Sequence, residues 1–440
     1  MNRQEKLELA RWVVSRAKSN GANEAAAVAY SSRDISVNYR EKMVEELRES
    51  TSNSLNLSIY AKNRYSSHTT NDLRRDALDK FTAEAVAMTK YLSEDPDRSL
   101  PDPKYYEGQR TSDLKQYDAS YESLQTEERV RLAAEVEEAA RARNDRIITM
   151  TSYFSDSSFE SVRVASNGFE GARNGTSFSL SAEVSVRGEG DGRPSGWADC
   201  TVRFRNNLVS PEIVAQRAVD DAVEKIGQTK MASGVYDMVV WNRAANRLLR
   251  NFYRPMQGSS LYRKNSFLDE KLGERVGSEK LTWIDDPFVE AGLGSRLYDG
   301  EGLAAKRRVM IEKGILKSYY LDTYYARKLG VEPTTAGTSN VVMEYGDKAL
   351  EDLVGMVKKG ILVTSFIGGN SNSTTGDFST GIMGKYIEDG KIVKPVNEMN
   401  VTGNHNEFWN QLVEVGNDPY PYSSWRRPSL FFKEVQFSGL

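Results

Sequence analysis

The chain has 440 residues, 39% of them hydrophobic and 28% charged, with a formal charge of −3. That length exceeds one ordinary core and calls for two or three domains, and the composition excludes a disordered polypeptide. The near-neutral charge gives no footprint for direct nucleic-acid binding, and apolar runs such as the one ending at Trp241 are far too short to span a bilayer.

Residues 3–19 place apolar side chains at helical spacing and predict an amphipathic helix. Charges interleave through this N-terminus, which lacks the continuous apolar core of a signal peptide, so a cytoplasmic location is expected. Four strand-like segments follow, near 24–31, 34–40, 43–50 and 54–62. A helix is then predicted over 73–92, with Asn71 or Asp72 as its N-cap. Residues 93–118 are rich in Pro, Asp and Tyr and lack periodicity. They read as a long surface connection pinned by Tyr105 and Tyr106.

The pattern then recurs. A helix is expected over 125–143, capped by Thr126, and strands near 146–154, 160–166, 175–187 and 197–206. A further helix spans 211–226, with Ser210 as N-cap and Pro211 in its first position. The segments SLNLSIYA and SFSLSAEVSV hold matching places in the two units. The alternation of their side chains suggests antiparallel sheets with one face packed on helices. After a boundary near Gly227–Gly234 the chain becomes richer in β-structure. RRVMIEKGILKSYYLD and GKYIEDGKIVKPV read as hairpins turning at Glu312-Lys313-Gly314 and Glu388-Asp389-Gly390. Helices are expected over 242–253, 322–329 and 347–358. The fold class is therefore α+β. A duplicated helix–four-strand–helix region covers 1–230, with units of about 1–95 and 120–230, and a β-rich, barrel- or sandwich-like domain covers 231–440.

Few residues offer metal or nucleophile chemistry. The single cysteine, Cys200, lies in an alternating strand pattern where a thiol serves as packing. The two histidines, His68 and His405, do not share a helix, so metal binding by this chain alone is not expected. Gly292-Leu293-Gly294 has no following helix and reads as a flexible loop. The run GEGDGRPSG at 188–196 lacks the spaced carboxylates of a calcium loop and reads as a hairpin turn. Trp241, Phe252 and Tyr253 read as core aromatics.

Residues 365–387, SFIGGNSNSTTGDFSTGIMGKYI, form the most unusual segment and are expected to be a loop between two apolar strands. P-loop spacing is absent. Two readings stay open: a turn built on hydrogen-bonding side chains, or a groove for an extended peptide. In the second reading the groove residues are Gly368, Gly369, Asn370, Ser373, Thr374, Thr375, Gly376 and Asp377, and the segment faces the cavity of a dimer.

Four stretches carry a family resemblance over about residues 235–420: GSSLYRKNSFLDEKLGERV, DGEGLAAKRRVMIEKGILKSYYLDTYYARKLGV, GGNSNSTTGDFSTGIMGKYIEDGKIVKPV and GNHNEFWNQLVEVGND. In kind, order and spacing they resemble the TldD/PmbA family, also called modulators of DNA gyrase. The resemblance implies a zinc metallopeptidase scaffold. In the TldD branch a His-Glu-x-x-x-His helix and a later cysteine serve the metal, whereas the PmbA/TldE branch lacks the motif and is the partner subunit. Here the histidine positions fall on Trp241 and Asn246 and the glutamate position on Asn242, and no cysteine follows Cys200. This pattern, with SFLDEKLGERV and ARKLG, points to the PmbA/TldE branch. The resemblance thus implies a chain with no catalytic residue, metal or cofactor of its own. Zinc would be carried by a TldD-type partner subunit in a homo- or heterodimer acting on small unfolded peptides. The alternatives are a peptide-binding regulatory homodimer and an independent peptidase with an atypical site.

Overall fold

The computed structural model describes all 440 residues. Helix α1 (Arg3–Ser19) opens on a reciprocal cap, in which Asn2 accepts from the Glu5 N–H and Glu5 accepts from the Asn2 N–H. Strands β1 (Glu24–Arg40), β2 (Met43–Ala61) and β3 (Arg64–Thr70) follow, and then α2 (Arg75–Thr89). The second unit repeats this order with α3 (Thr126–Arg143), β4 (Ile147–Ala165), β5 (Glu170–Val186), β6 (Ser195–Val202) and α4 (Pro211–Val223).

Each unit has three strands rather than the four expected. Polar runs such as Ser31–Asp34 look like breaks in sequence. In the sheet they stay paired on both sides, Ser31 opposite Asn53 of β2 and Glu160 of β4. Polar residues are tolerated there because that stretch is not fully covered. The expected caps also differ. The position before α2 is Arg74, and Asp72 instead accepts from the Arg74 N–H. Thr126 is the first helical residue of α3, and Ser210 makes no side-chain cap bond, although Pro211 holds the first position of α4.

The two units share one antiparallel sheet in the order β3-β2-β1-β4-β5-β6, so they meet back to back through β1 and β4. Side chains alternate across it. Ala25, Ala27 and Val37 point to the face carrying the helices, and Ala26 points to the other face, under Leu100, Phe169 and Tyr298. Between α3 and β4 the Arg129 guanidinium is fully buried against Asp156, with Nε 2.5 Å from Oδ2, and Nη1 donates to the Leu124 carbonyl. The 93–118 connection is pinned at both expected tyrosines. Tyr105 bonds Glu332, while Tyr106 packs on Phe169 and accepts from Asn167 Nδ2 at 2.7 Å.

The remaining elements are β7 (Gly234–Val240), α5 (Asn246–Tyr253), α6 (Gly258–Tyr262), β8 (Trp283–Asp286), β9 (Arg308–Glu312), β10 (Ile315–Leu316), α7 (Thr323–Leu329), β11 (Asn340–Met343) and α8 (Leu350–Gly355). After them come β12 (Lys359–Ser371), β13 (Asp377–Glu388), β14 (Lys391–Asn404), α9 (His405–Phe408), β15 (Leu412–Val415), β16 (Trp425–Arg426) and β17 (Leu430–Ser438). Strands β14-β13-β12-β7-β17 pair in sequence, and β17 returns to β14, which closes a five-stranded barrel with β15 attached to β17. A second sheet, β10-β9-β8-β11-β16, lies beside it. The barrel interior and the helix packed on it form the largest core, with Met238, Val240, Phe252, Trp409 and Phe432 among its buried side chains. Both hairpin turns fall where expected. Lys313-Gly314 and Asp389-Gly390 each take positive φ at two consecutive residues, the twist that matches paired strands. The mixed α+β class with a C-terminal barrel therefore holds.

Candidate functional site

Strand β7 lies inside the barrel between β12 and β17, so the residues after Val240 emerge at one barrel end. The Trp241 N–H still donates to Val363 O at 3.0 Å. The chain then turns, because the N–H groups of Ala244 and Ala245 both donate to the Trp241 carbonyl, and α5 starts only at Asn246. The helix expected from residue 242 is thus four residues shorter.

Asn242 is tied down at this turn. Its N–H donates to Ser429 Oγ at 3.0 Å, and its Nδ2 donates to Asp418 O at 2.7 Å and to Asp418 Oδ2 at 3.2 Å. Ser429 closes the network by donating from N and Oγ to the same carboxylate, at 2.8 and 2.7 Å. Asn242 is therefore a structural bracket between β7 and the segment entering β17. Trp241 and Asn246 face another way. Both line a cavity of about 650 Å³ between the barrel end and the β5–β6–α4 edge of the first sheet. Trp241 is thus only partly a core residue, whereas Phe252 is fully buried and Tyr253 packs edge-on against Tyr320 and Trp425.

The donor chemistry does not fit zinc. An indole N–H only donates, and a neutral amide is a poor ligand beside imidazole or thiolate. No three His, Cys, Asp or Glu side chains converge to hold a metal ion. Cys200 is buried in β6, where burial pushes its thiol up. His68 sits on β3 beside Ser66. His405 is sealed between the rings of Phe267 and Phe378, and burial pulls its pKa down to about 4, so its imidazole is neutral at pH 7.

What lines the cavity instead is arginine. Arg243, Arg247, Arg250 and Arg427 converge there with Lys225, against Glu183, Asp199 and Asp221. Arg243 lies 3.6 Å from Asp199, which also accepts from the Tyr420 hydroxyl at 2.9 Å. These arginines were not singled out in the sequence. Their signal was present, since positions 243, 247 and 250 have the spacing of one helix face.

The 365–387 segment is a β-hairpin, β12–β13, rather than a loop. Its glycines misled because they serve a bulge: pairing skips from Ile367 to Asn370, and Gly368 and Gly369 have φ of +59° and +89°. Arg247 Nη2 donates to Gly368 O at 3.1 Å, which brings this bulge to the cavity helix. Asn370 pairs with Ser379. Ser373, Thr374, Thr375 and Gly376 make the turn. There Asn372 Oδ1 accepts from the Thr374 N–H, the Ser373 carbonyl accepts from Phe267, and the Gly376 carbonyl accepts from His405. Asp377 accepts from Thr375 Oγ1 and Asn404 Nδ2 at 2.6 and 2.8 Å. Gly292-Leu293-Gly294 is likewise anchored. Asn340 Oδ1 accepts from the Gly294 N–H, and Arg203 donates to the Leu293 carbonyl.

Residues 120–226 match the PmbA/TldA metallopeptidase central domain, and residues 233–439 match the PmbA/TldA metallopeptidase C-terminal domain. The chain belongs to the PmbA/TldD family. It is similar over its whole length to the crystal structure of a candidate modulator of DNA gyrase from Bacteroides thetaiotaomicron. That similarity has 44% identity, a TM-score of 0.97 and 100% of both chains covered. Haemophilus influenzae Rd contributes two relatives from the family. A metalloprotease PmbA homologue is 27% identical, over 99% of this chain and 96% of its own length. A metalloprotease TldD homologue is 28% identical, over 67% of this chain and 65% of its own length. Consistent with the short apolar runs, no helix of this PmbA/TldD-family chain is long and apolar enough to cross a membrane.

Proposed function

We propose that this chain is the non-catalytic, PmbA/TldE-type subunit of a TldD-type zinc metallopeptidase that degrades or processes small unfolded peptides in the cytoplasm. The observation that carries the reading is the state of Asn242. At the position of the family's glutamate, this residue commits its side-chain amide to Asp418 and its backbone N–H to Ser429, and it has no carboxylate with which to take a proton. Trp241 and Asn246, at the histidine positions, face an arginine-lined cavity rather than a ligand set. The proteolytic family of the relatives supports a role in proteolysis, and the paired PmbA and TldD homologues of one organism support a division of labour.

In this reading zinc resides in the TldD-type partner. The present chain supplies the barrel end, the β12–β13 hairpin and the cavity wall against which peptide is held. The test purifies the chain alone and together with a TldD-type partner, without chelators. It follows bound zinc and cleavage of an unstructured peptide. The expected result is well below one zinc per chain and no cleavage for the chain alone, with cleavage by the pair that exceeds the partner alone. Stoichiometric zinc and cleavage by the isolated chain would overturn the proposal in favour of an independent peptidase.

A further inference from the structure

The cavity beside Trp241 contains cationic charge that the protein itself does not neutralise. Arg427 is only 7% exposed, yet it forms no ion pair: Nη1 donates to Trp425 O at 2.9 Å, Nη2 reaches Arg243 O at 3.5 Å, and Nε has no partner. Arg247 donates only to the Gly368 and Gly369 carbonyls, at 3.1 and 3.5 Å. Arg250 is exposed and rests near the Trp425 ring. Of the four arginines only Arg243 meets a carboxylate, and Asp199 is shared with Tyr420. Keeping an unpaired guanidinium buried is costly, and an anion within the cavity removes that cost.

We propose that this cavity captures the C-terminal carboxylate of a peptide, a specificity that rests on the peptide-handling role argued above. The guanidinium fork matches a carboxylate with two parallel hydrogen bonds. Trp197, Trp241, Phe366 and Tyr422 supply aromatic walls for the last side chains. The floor includes Thr364, which lies at a register shift between Val363 and Ser365 in the β12–β13 pairing. The volume of about 650 Å³ suits a short peptide end. Glu183, Asp199 and Asp221 on the same walls favour a singly charged carboxylate over a multiply charged phosphate.

The experiment titrates the full chain with the tripeptide Ala-Ala-Phe, its C-terminal amide and inorganic phosphate. It reads calorimetric heat and the fluorescence of Trp197 and Trp241. The free acid should bind at least about tenfold more tightly than the amide or phosphate. Arg247→Gln with Arg250→Gln should weaken the acid by about tenfold or more, leaving the amide unchanged. Both arginines are exposed and only the Arg247 bonds to the Gly368 and Gly369 carbonyls are given up, so the unfolding midpoint should shift little. Equal binding of acid and amide, tighter binding of phosphate, absence of acid binding, or indifference to the double variant would overturn the assignment. No cleavage is involved. Carboxylate-dependent binding without support of a partner's activity would sink only the subunit role, and reconstituted activity with equal acid and amide binding would sink only this one.

Discussion

Asn242 Nδ2 lies 3.2 Å from Asp418 Oδ2 and 2.7 Å from the Asp418 carbonyl oxygen, holding the end of β7 to the segment that leads into β17. A glutamate in its place sets one carboxylate against another and leaves the carbonyl without its donor. Asn242→Glu should cost about 2–4 kcal/mol in urea unfolding. Trp241→His, Asn242→Glu and Asn246→His together inherit that penalty and yield at most a weak zinc site, because supporting contacts for the ligands are missing. A triple variant as stable as the parent and loaded with one zinc would refute both statements.

The buried Arg129–Asp156 pair makes a contrasting case. Arg129→Ala strands a carboxylate that is wholly buried and should destabilise the protein by about 3–5 kcal/mol. Arg129→Met with Asp156→Leu removes both charges and should recover most of the loss. Denaturant titration of the two variants decides the matter: equal losses would mean that packing, not the stranded charge, dominates.

Glu301 carries a pH dependence. Burial pushes its pKa up from the usual carboxyl range to about 7, while its Oε2 accepts from Thr323 N and Oγ1 at 2.8 and 2.9 Å. With the folded pKa above the unfolded one, its contribution is fully present below about pH 4.5 and is lost as pH rises through about 7. Glu301→Gln should therefore gain stability relative to the parent between pH 5 and pH 8, by about 2–3 kcal/mol, while the two differ little at the acid end. Parallel stability curves for the two proteins would show that this carboxyl does not titrate in that range.

Gly369 has φ of +89°, and a Cβ there would sit 2.5 Å from Ser379 O and Thr380 Cα. Gly369→Ala should open the hairpin bulge at a local cost of about 1–3 kcal/mol. Amide exchange should accelerate around Ile367–Asn370 while the barrel strands near Met238 keep their protection. Unchanged exchange at the bulge would show that the backbone relaxes without cost.

Helix periodicity made α1, α3 and α4 legible, because their apolar faces repeat without interruption. The turns Lys313-Gly314 and Asp389-Gly390 were legible because few residue pairs accept two positive φ angles. Strand continuity was hidden. Ser31–Asp34 looks like a turn until its partners on both sides are known, and Gly368–Gly369 looks like a loop until the opposite strand shows a bulge. The family resemblance is what singles out Trp241, Asn242 and Asn246. What Asn242 does instead was not legible, since Asp418 and Ser429 meet it only through the closed barrel. Arg427 joins the cavity by the same long-range route.

The pairing of β7 with β17 also orders biosynthesis. Val240 emerges from the ribosome long before Leu430, its neighbour in the finished barrel, so the apolar flank of β7 must wait unshielded while most of the barrel is made. The first sheet waits less, since β1 meets β2 across a two-residue turn and its other neighbour, β4, is complete by residue 165. The first half of the nascent protein is therefore able to settle early, and any message truncated ahead of residue 430 yields a product whose exposed strand edges invite aggregation and chaperone capture.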